Sequence, residues 1–268
     1  VRAYDASGTR NGFASVVMFK WMKPATARKP AYPRLPQGLT AYAVGDIHGR
    51  SDLLDRIHAA IDEDMARRAG TFIEIYLGDY VDRGPDSIGV IERLLRRNRT
   101  HRMVMLRGNH EVMFENFLAG GVDPEEWRRV GGSETLLSYG VDVRGLARAP
   151  RDRWVAAANA AVPPAHRAFL GALADAFPFE GYFFTHAGVR PGVPLPDQVS
   201  DDLQWIRDEF LGDSRDHGAV VVHGHTPTME PEFAANRINL DTGAYVTGRL
   251  TCLVVDAEGP RVLSPRPA

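Results

Sequence analysis

Five short polar runs in this chain combine residue types that could do metal-assisted or acid-base chemistry: Gly45-Asp46-Ile47-His48-Gly49, Gly78-Asp79-Tyr80-Val81-Asp82-Arg83-Gly84, Gly108-Asn109-His110-Glu111, His186-Ala187-Gly188 and Gly224-His225-Thr226. Asp46, His48, Asp79, Asn109, His186 and His225 offer carboxylate, imidazole and amide-oxygen donors. That mixed N/O set suits first-row divalent metals rather than thiolate-selected zinc. Six ligands are too many for one catalytic ion that must keep positions open, whereas two ions sharing a carboxylate can each retain a water site. A single histidine after a strand, or a single Gly-Asp, is usually a cap or a turn; five such runs in register with successive strands point to a site. His223 shares a loop with His225 but faces the other way, so packing is its expected role.

Each run directly follows an apolar stretch. Leu39 to Val44, Phe72 to Leu77 and Met103 to Leu106 read as strands, and each polar loop leads into a helical pattern: Leu53, Leu54, Ile57, Ala60, Ile61 and Met65 after the first, Ile88, Ile91, Leu94 and Leu95 after the second. Three strand-loop-helix units predict parallel pairing with a site along the C-terminal strand edge. Strands are expected again at 181–185, 219–222, 237–240 and 249–255. Between them, residues 119–180 read as a mostly helical insertion over the strand ends, with helices near 125–130, 133–138, 151–161 and 165–177, and a further helix spans about 203–211. Nothing in the sequence of the insertion assigns it chemistry.

The chain has 268 residues, 44% hydrophobic and 25% charged, with a net charge of −2. Such a composition excludes a disordered or fibrous protein and gives no general attraction to nucleic acid or membrane, so neither is expected as a partner. The lone Cys252 rules out an internal disulfide and suits a reducing compartment, the cytoplasm being the expected location. Residues 1–38 form a basic, proline-rich tail expected to be poorly ordered, and residues 39–268 the catalytic domain. The run Phe13 to Phe19 is too short to span a membrane.

The runs at 45–49, 78–84 and 106–111 match, almost letter for letter and in order, three motifs of the calcineurin-like metallophosphoesterases. From about Leu39 to Val255 the chain resembles that superfamily, and more narrowly its phosphoprotein phosphatase family in bacterial form, close to the diadenosine tetraphosphate hydrolases. The resemblance implies an α/β four-layer fold, with two packed mixed sheets flanked by helices, where the repeat of units alone implies only parallel pairing. It implies that Asp46, His48 and Asp79 hold one metal and Asp79, Asn109, His186 and His225 the other. Manganese is the first expectation, with iron, zinc, cobalt or nickel also compatible with these donors.

Two such cations, about 3.5–4 Å apart, generate a bridging hydroxide for in-line attack on phosphorus. His110, next to Asn109, is placed to protonate the leaving alkoxide; the resemblance pairs it with Asp82 and makes Arg83 and Arg207, with Asn109, the phosphate-binding residues. Arg107 and Glu111 are expected to brace the motif. The expected function is a phosphomonoester hydrolase, a serine/threonine protein phosphatase acting on phosphorylated protein or a small phosphate ester. The region Asp241-Thr242-Gly243-Ala244-Tyr245 departs from the Ser-Ala-Pro-Asn-Tyr segment of eukaryotic members, which supports a dinucleoside polyphosphate hydrolase as the alternative. A non-catalytic scaffold of this fold is the third reading. Oligomeric state is not assigned.

Overall fold

Alternation along the strands decides how the layers stack. The computed structural model describes residues 32–263, and among these ten strands form two five-stranded sheets. They are β1 (Leu39–Val44), β2 (Thr71–Tyr76), β3 (Met103–Met105), β4 (Ala176–Phe179), β5 (Tyr182–Thr185), β6 (Val220–His223), β7 (Glu232–Phe233), β8 (Arg237–Asn239), β9 (Cys252–Asp256) and β10 (Gly259–Val262). The first sheet runs β10-β9-β1-β2-β3 and the second β4-β5-β6-β8-β7. Ala41, Ala43, Ile73, Ile75, Leu253 and Val255 of the first sheet pack on Phe184, Val222 and Ile238 of the second. The opposite face of the first sheet, with Tyr42, Tyr76 and Val254, is covered by the helices. Phe183 and Val221 on the far face of the second are covered by Leu203, Ile206 and Phe210. The result is four layers, helix on sheet on sheet on helix.

The three expected units pair in parallel, β1 with β2 and β2 with β3. The second sheet repeats this with β5, β6 and β8, while β9 and β10 add antiparallel edges to the first. The C-terminal ends of β1, β2, β3, β5 and β6 therefore all deliver their loops to one edge.

Three expectations need correction. The helix expected over 165–177 stops at Gly171, and Ala176–Phe179 is instead a strand antiparallel to β5. The two-residue turn Glu180-Gly181 has positive φ at both positions (50° and 82°), the twist that joins two strands in a tight hairpin. The helix expected over 203–211 is broken at Ile206-Arg207 into Ser200–Trp205 and Asp208–Leu211. Its bonding partner at the break is taken: the Leu203 carbonyl accepts from Ala187 N (2.8 Å) and Thr185 Oγ1 (3.1 Å), leaving nothing for the amide of Arg207. The last part of the expected tail also packs on the domain. Leu35 is buried among the inter-sheet residues, Leu35 N donates to Asp256 O, and Pro33 O accepts from Tyr182 Oη at 2.6 Å. Residues 1–31 of that tail lie outside the described residues. Cys252 is a free, buried thiol on β9, and no helix among the described residues is long and apolar enough to cross a membrane.

Two buried acids hold the framework of the site. Glu74 on β2 faces the helices, where Arg97 Nε donates to it at 2.7 Å and Tyr76 Oη at 2.5 Å; Tyr76 Oη in turn accepts from His58 Nε2 at 2.9 Å. Glu111, fully buried in the helix Asn109–Leu118, accepts four backbone N–H groups: Gly108 (3.0 Å) and Asp79 (2.8 Å) on Oε2, Tyr80 (2.8 Å) and Val81 (3.2 Å) on Oε1. Burial and the Asp79 charge raise its proton affinity, but a proton on either oxygen would face two N–H donors, so the arrangement requires the carboxylate. It clamps the loop after β2 onto the start of the helix Asn109–Leu118.

Glu111→Gln must turn its amide N–H groups toward one of these donor pairs. The metal-free variant should lose about 2–4 kcal/mol in denaturant unfolding, and a loss under about 0.5 kcal/mol would contradict the clamp. Burial, with Arg97 nearby, pushes His58 down to about 3. Below pH 6.5 the unfolded chain therefore takes up a proton that the folded one refuses, and stability drops as pH falls. Between pH 7 and 5 the wild type should lose about 1–2 kcal/mol more than His58→Gln; parallel curves would refute this.

Candidate active site

The five loops converge, and they do so on strained backbone. Among the described residues six non-glycine residues have positive φ, and five of them are His48, Asp79, Asp82, Arg83 and His225. This left-handed region is sparsely populated by L residues, and its concentration at one point marks a site held together by its surroundings. Close approach needs glycine as well. A Cβ on Gly224 would overlap Asp46 Oδ1, and one on Gly108 would overlap Asp79 Oδ1.

Asp79 lies at the centre. His48 Nε2 is 3.3 Å from its Oδ2, and His186 Nε2 is 3.3 Å from its Oδ1. Both imidazoles face a backbone carbonyl through Nδ1, His48 to Val81 O and His186 to Leu77 O, each at 2.9 Å. Those contacts fix the proton on Nδ1 and turn the Nε2 lone pairs inward. Asn109 Oδ1 adds another acceptor, 3.0 Å from His186 Nε2 and 2.8 Å from His225 Nδ1. Asp46 joins the two sheets: its Oδ2 accepts from His225 N at 2.9 Å.

This convergence of acceptors fits cations. Asp46 Oδ1, His48 Nε2 and His225 Nε2 are buried without a hydrogen-bond partner, a costly condition that a bound metal relieves. Burial together with the Asp241 and Asp79 charges pushes Asp46 well above the ordinary carboxylate range. For Asp79 burial acts upward too, but the imidazoles of His186, His110 and His48 outweigh it and hold the group well below that range. Burial disfavours the charged form of His186, and lowers His225 to about 2, the direction that suits an imidazole ligand. Two triads have their ligand atoms close together, His48, Asp79 and His110, and Asp79, His186 and His225, with Asp79 common to both.

His110 stands beside this set. Its Nδ1 donates to Asp82 Oδ2 at 2.7 Å, and its Nε2 is 3.0 Å from Arg83 Nη2 and 3.9 Å from Asp79 Oδ2. Burial lowers its pKa, yet Asp79 and Asp82 more than offset this and the net shift is upward. The Arg83 guanidinium lies over the Tyr245 ring, 4.7 Å from its centroid. Arg207 is exposed at the break between helices, its Nη1 donating to Thr226 Oγ1 at 3.3 Å, one residue from His225. His223 points away from the site against Phe210, as expected.

Four residues of the site escaped the reading of the sequence. Asp241 is buried beside Asp46 and follows β8 as the other acids follow their strands, so the same strand-end rule applied to 237–240 would have found it. Tyr245 contacts both Arg83 and His48. Trp127 and Thr135, from the insertion, bond to Asp82; the only signal was that a buried Asp82 needs more donors than His110 supplies.

Comparison with known proteins agrees with the geometry. The chain is 25% identical over 223 residues to the asymmetrical bis(5'-nucleosyl)-tetraphosphatase PrpE of Anoxybacillus flavithermus, covering 78% of this chain and 88% of the relative. It is 24% identical over 234 residues to the protein of the same name from Halalkalibacterium halodurans, covering 78% and 87%. A crystal structure described as a "putative diadenosine tetraphosphatase" superposes with a TM-score of 0.58 at 20% identity, over 90% of this chain and all of that one. A protein serine/threonine phosphatase from Saccharomyces cerevisiae superposes with a TM-score of 0.50 at 13% identity, over 90% of this chain and 85% of that one. At those identities the two structures establish the fold alone. Residues 39–248 match the calcineurin-like phosphoesterase family over most of the chain, and the protein belongs to that family of metal-dependent phosphoric ester hydrolases.

Proposed function

We propose that this protein hydrolyses dinucleoside polyphosphates at a two-metal site. The observation that carries the chemistry is Asp79, with one carboxylate oxygen facing His48 and the other facing His186. Asp46, His48 and Asp79 would hold one divalent ion, and Asp79, Asn109, His186 and His225 the other. Bound there, the ions would supply an activated water and neutralise phosphate charge.

The remaining work falls to this chain's side chains. Arg83 presents a planar fork to phosphate oxygens, and its perch on Tyr245 keeps that fork at the site mouth. Arg207, exposed and bonded to Thr226 next to His225, adds a second positive charge. His110 delivers a proton to the leaving oxygen through Nε2 while Nδ1–H stays bonded to Asp82. Arg83 donates to that same Nε2 when the imidazole is neutral; a phosphate that accepts from Arg83 frees Nε2 to carry its proton.

The choice of substrate is supported by the PrpE tetraphosphatases, which align over 78% of this chain, and by Gly243-Ala244-Tyr245, which opens the short helix that seats Tyr245 on Arg83. A second reading, a serine/threonine protein phosphatase, has its own support. A Caenorhabditis elegans protein named "Putative serine/threonine-protein phosphatase" is 33% identical over 120 residues, 42% of this chain and 24% of that protein. A dedicated acid such as His110 also matters most for an alkoxide leaving group.

Catalytic efficiency on diadenosine tetraphosphate and on phosphoserine peptides, measured with manganese, iron, zinc, cobalt and nickel in turn, decides between the two. The dinucleotide should be favoured by at least about tenfold, and the reverse order would establish the protein substrate. His110→Asn should keep its metal and lose about 10²–10⁴-fold on alkyl phosphates; near-normal turnover would remove it as the acid.

A further inference from the structure

The helical insertion reaches the chemistry through Asp82. That carboxylate is fully buried, and its Oδ2 accepts from Trp127 Nε1 at 3.0 Å as well as from His110 Nδ1 at 2.7 Å. Its Oδ1 accepts from Thr135 Oγ1 at 2.7 Å, and the same hydroxyl accepts from the backbone N of Asp82 at 2.8 Å. One threonine hydroxyl thus grips a single residue at both its main chain and its side chain, at a backbone φ of 68°. Both donors are themselves fully buried.

One of the donors, Trp127, is also tied to the element that carries His110. Trp127 stacks on Phe114 (5.2 Å between centroids, 13° between planes) and packs on Phe117 at 4.3 Å, both in the helix Asn109–Leu118 that opens with Asn109 and His110. The ring has no room to move, since a Cβ on Gly132 would already overlap it. Next door, Gly131 O accepts from Arg83 N at 3.2 Å. Asp82, His110 and Arg83 are therefore held to one another by a segment that contributes nothing to the metal cluster. Neutral donors suit this task. An arginine or lysine in their place would neutralise Asp82, whereas an indole N–H and a hydroxyl orient the carboxylate and leave its charge for the imidazolium.

We infer that Trp127 and Thr135 are positioning residues for proton delivery: the insertion locks the Asp82 carboxylate so that His110 Nε2 faces the leaving group. This inference rests on the reading of His110 as the acid. Its signature is dependence on the leaving group, because p-nitrophenolate departs without a proton and an alkoxide does not.

The test uses Trp127→Phe, which removes the one indole bond to Asp82 and keeps an aromatic ring, Thr135→Val, which removes both hydroxyl bonds to Asp82 at nearly constant volume, and Thr135→Ser, which restores the hydroxyl. The first two should lose about 10–100-fold in kcat on an alkyl phosphate and change by at most about threefold on p-nitrophenyl phosphate, with unchanged metal content. Thr135→Ser should recover most of the loss. In the metal-free proteins the low-field NMR resonance of the His110 Nδ1 proton should shift or vanish in Trp127→Phe and Thr135→Val and persist in Thr135→Ser. Equal losses on both substrates, or an unmoved resonance in both variants, would overturn the inference. Should His110→Asn show the selective loss while the insertion variants do not, the inference fails alone; should His110→Asn lack it too, the assignment of the acid fails first.

Discussion

The structure is organised around a carboxylate that has to stay charged where water cannot reach it. Asp79 sits at the end of β2, buried and on left-handed backbone, and each of these two conditions is unfavourable by itself. They persist because the surroundings over-determine them. Glu111 takes up the N–H groups of Asp79, Tyr80 and Val81, which a positive-φ turn leaves without strand partners. The glycines at 108 and 224 let neighbouring loops come within contact of the acids. The lone pairs that remain, on Asp46, His48 and His225, are what make the pocket a place for cations.

Joining two sheets at one edge follows from the same constraint. His186 comes from the second sheet, and its Nδ1 proton goes to Leu77 O at the end of β2 in the first; His225 from the second sheet gives its backbone N–H to Asp46 of the first. Those bonds cross between layers otherwise joined by apolar contacts between strands. The polar edge thereby sets the register of the two sheets as well as the geometry of the ligands, and a shift of one sheet against the other would separate the halves of the site.

Much of this was legible in the sequence, for a local reason. Strand, glycine, acid and helix follow one another within a few residues around Asp46, Asp79 and Asn109, and so the parallel units and the six ligand-type residues could be read in order. What stayed hidden depends on long-range pairing. Ala176–Phe179 has helical neighbours and becomes a strand because β5 is beside it. The helix around Arg207 breaks because strand-end residues 185 and 187 take the Leu203 carbonyl. Trp127 and Thr135 look like packing residues of a helical segment, and only the fold brings them 45 and 53 residues back to Asp82. The insertion therefore belongs to the site, though none of its residues carries a recognisable motif.

The proposed two-metal site requires that Asp79 be shared by both cations. Crystals grown with manganese and measured at a wavelength where it scatters anomalously test this most directly. Two anomalous peaks are expected on either side of the Asp79 carboxylate, one in contact with Asp46 and His48 and the other with Asn109, His186 and His225. A single peak, or two peaks that do not share Asp79, would contradict it.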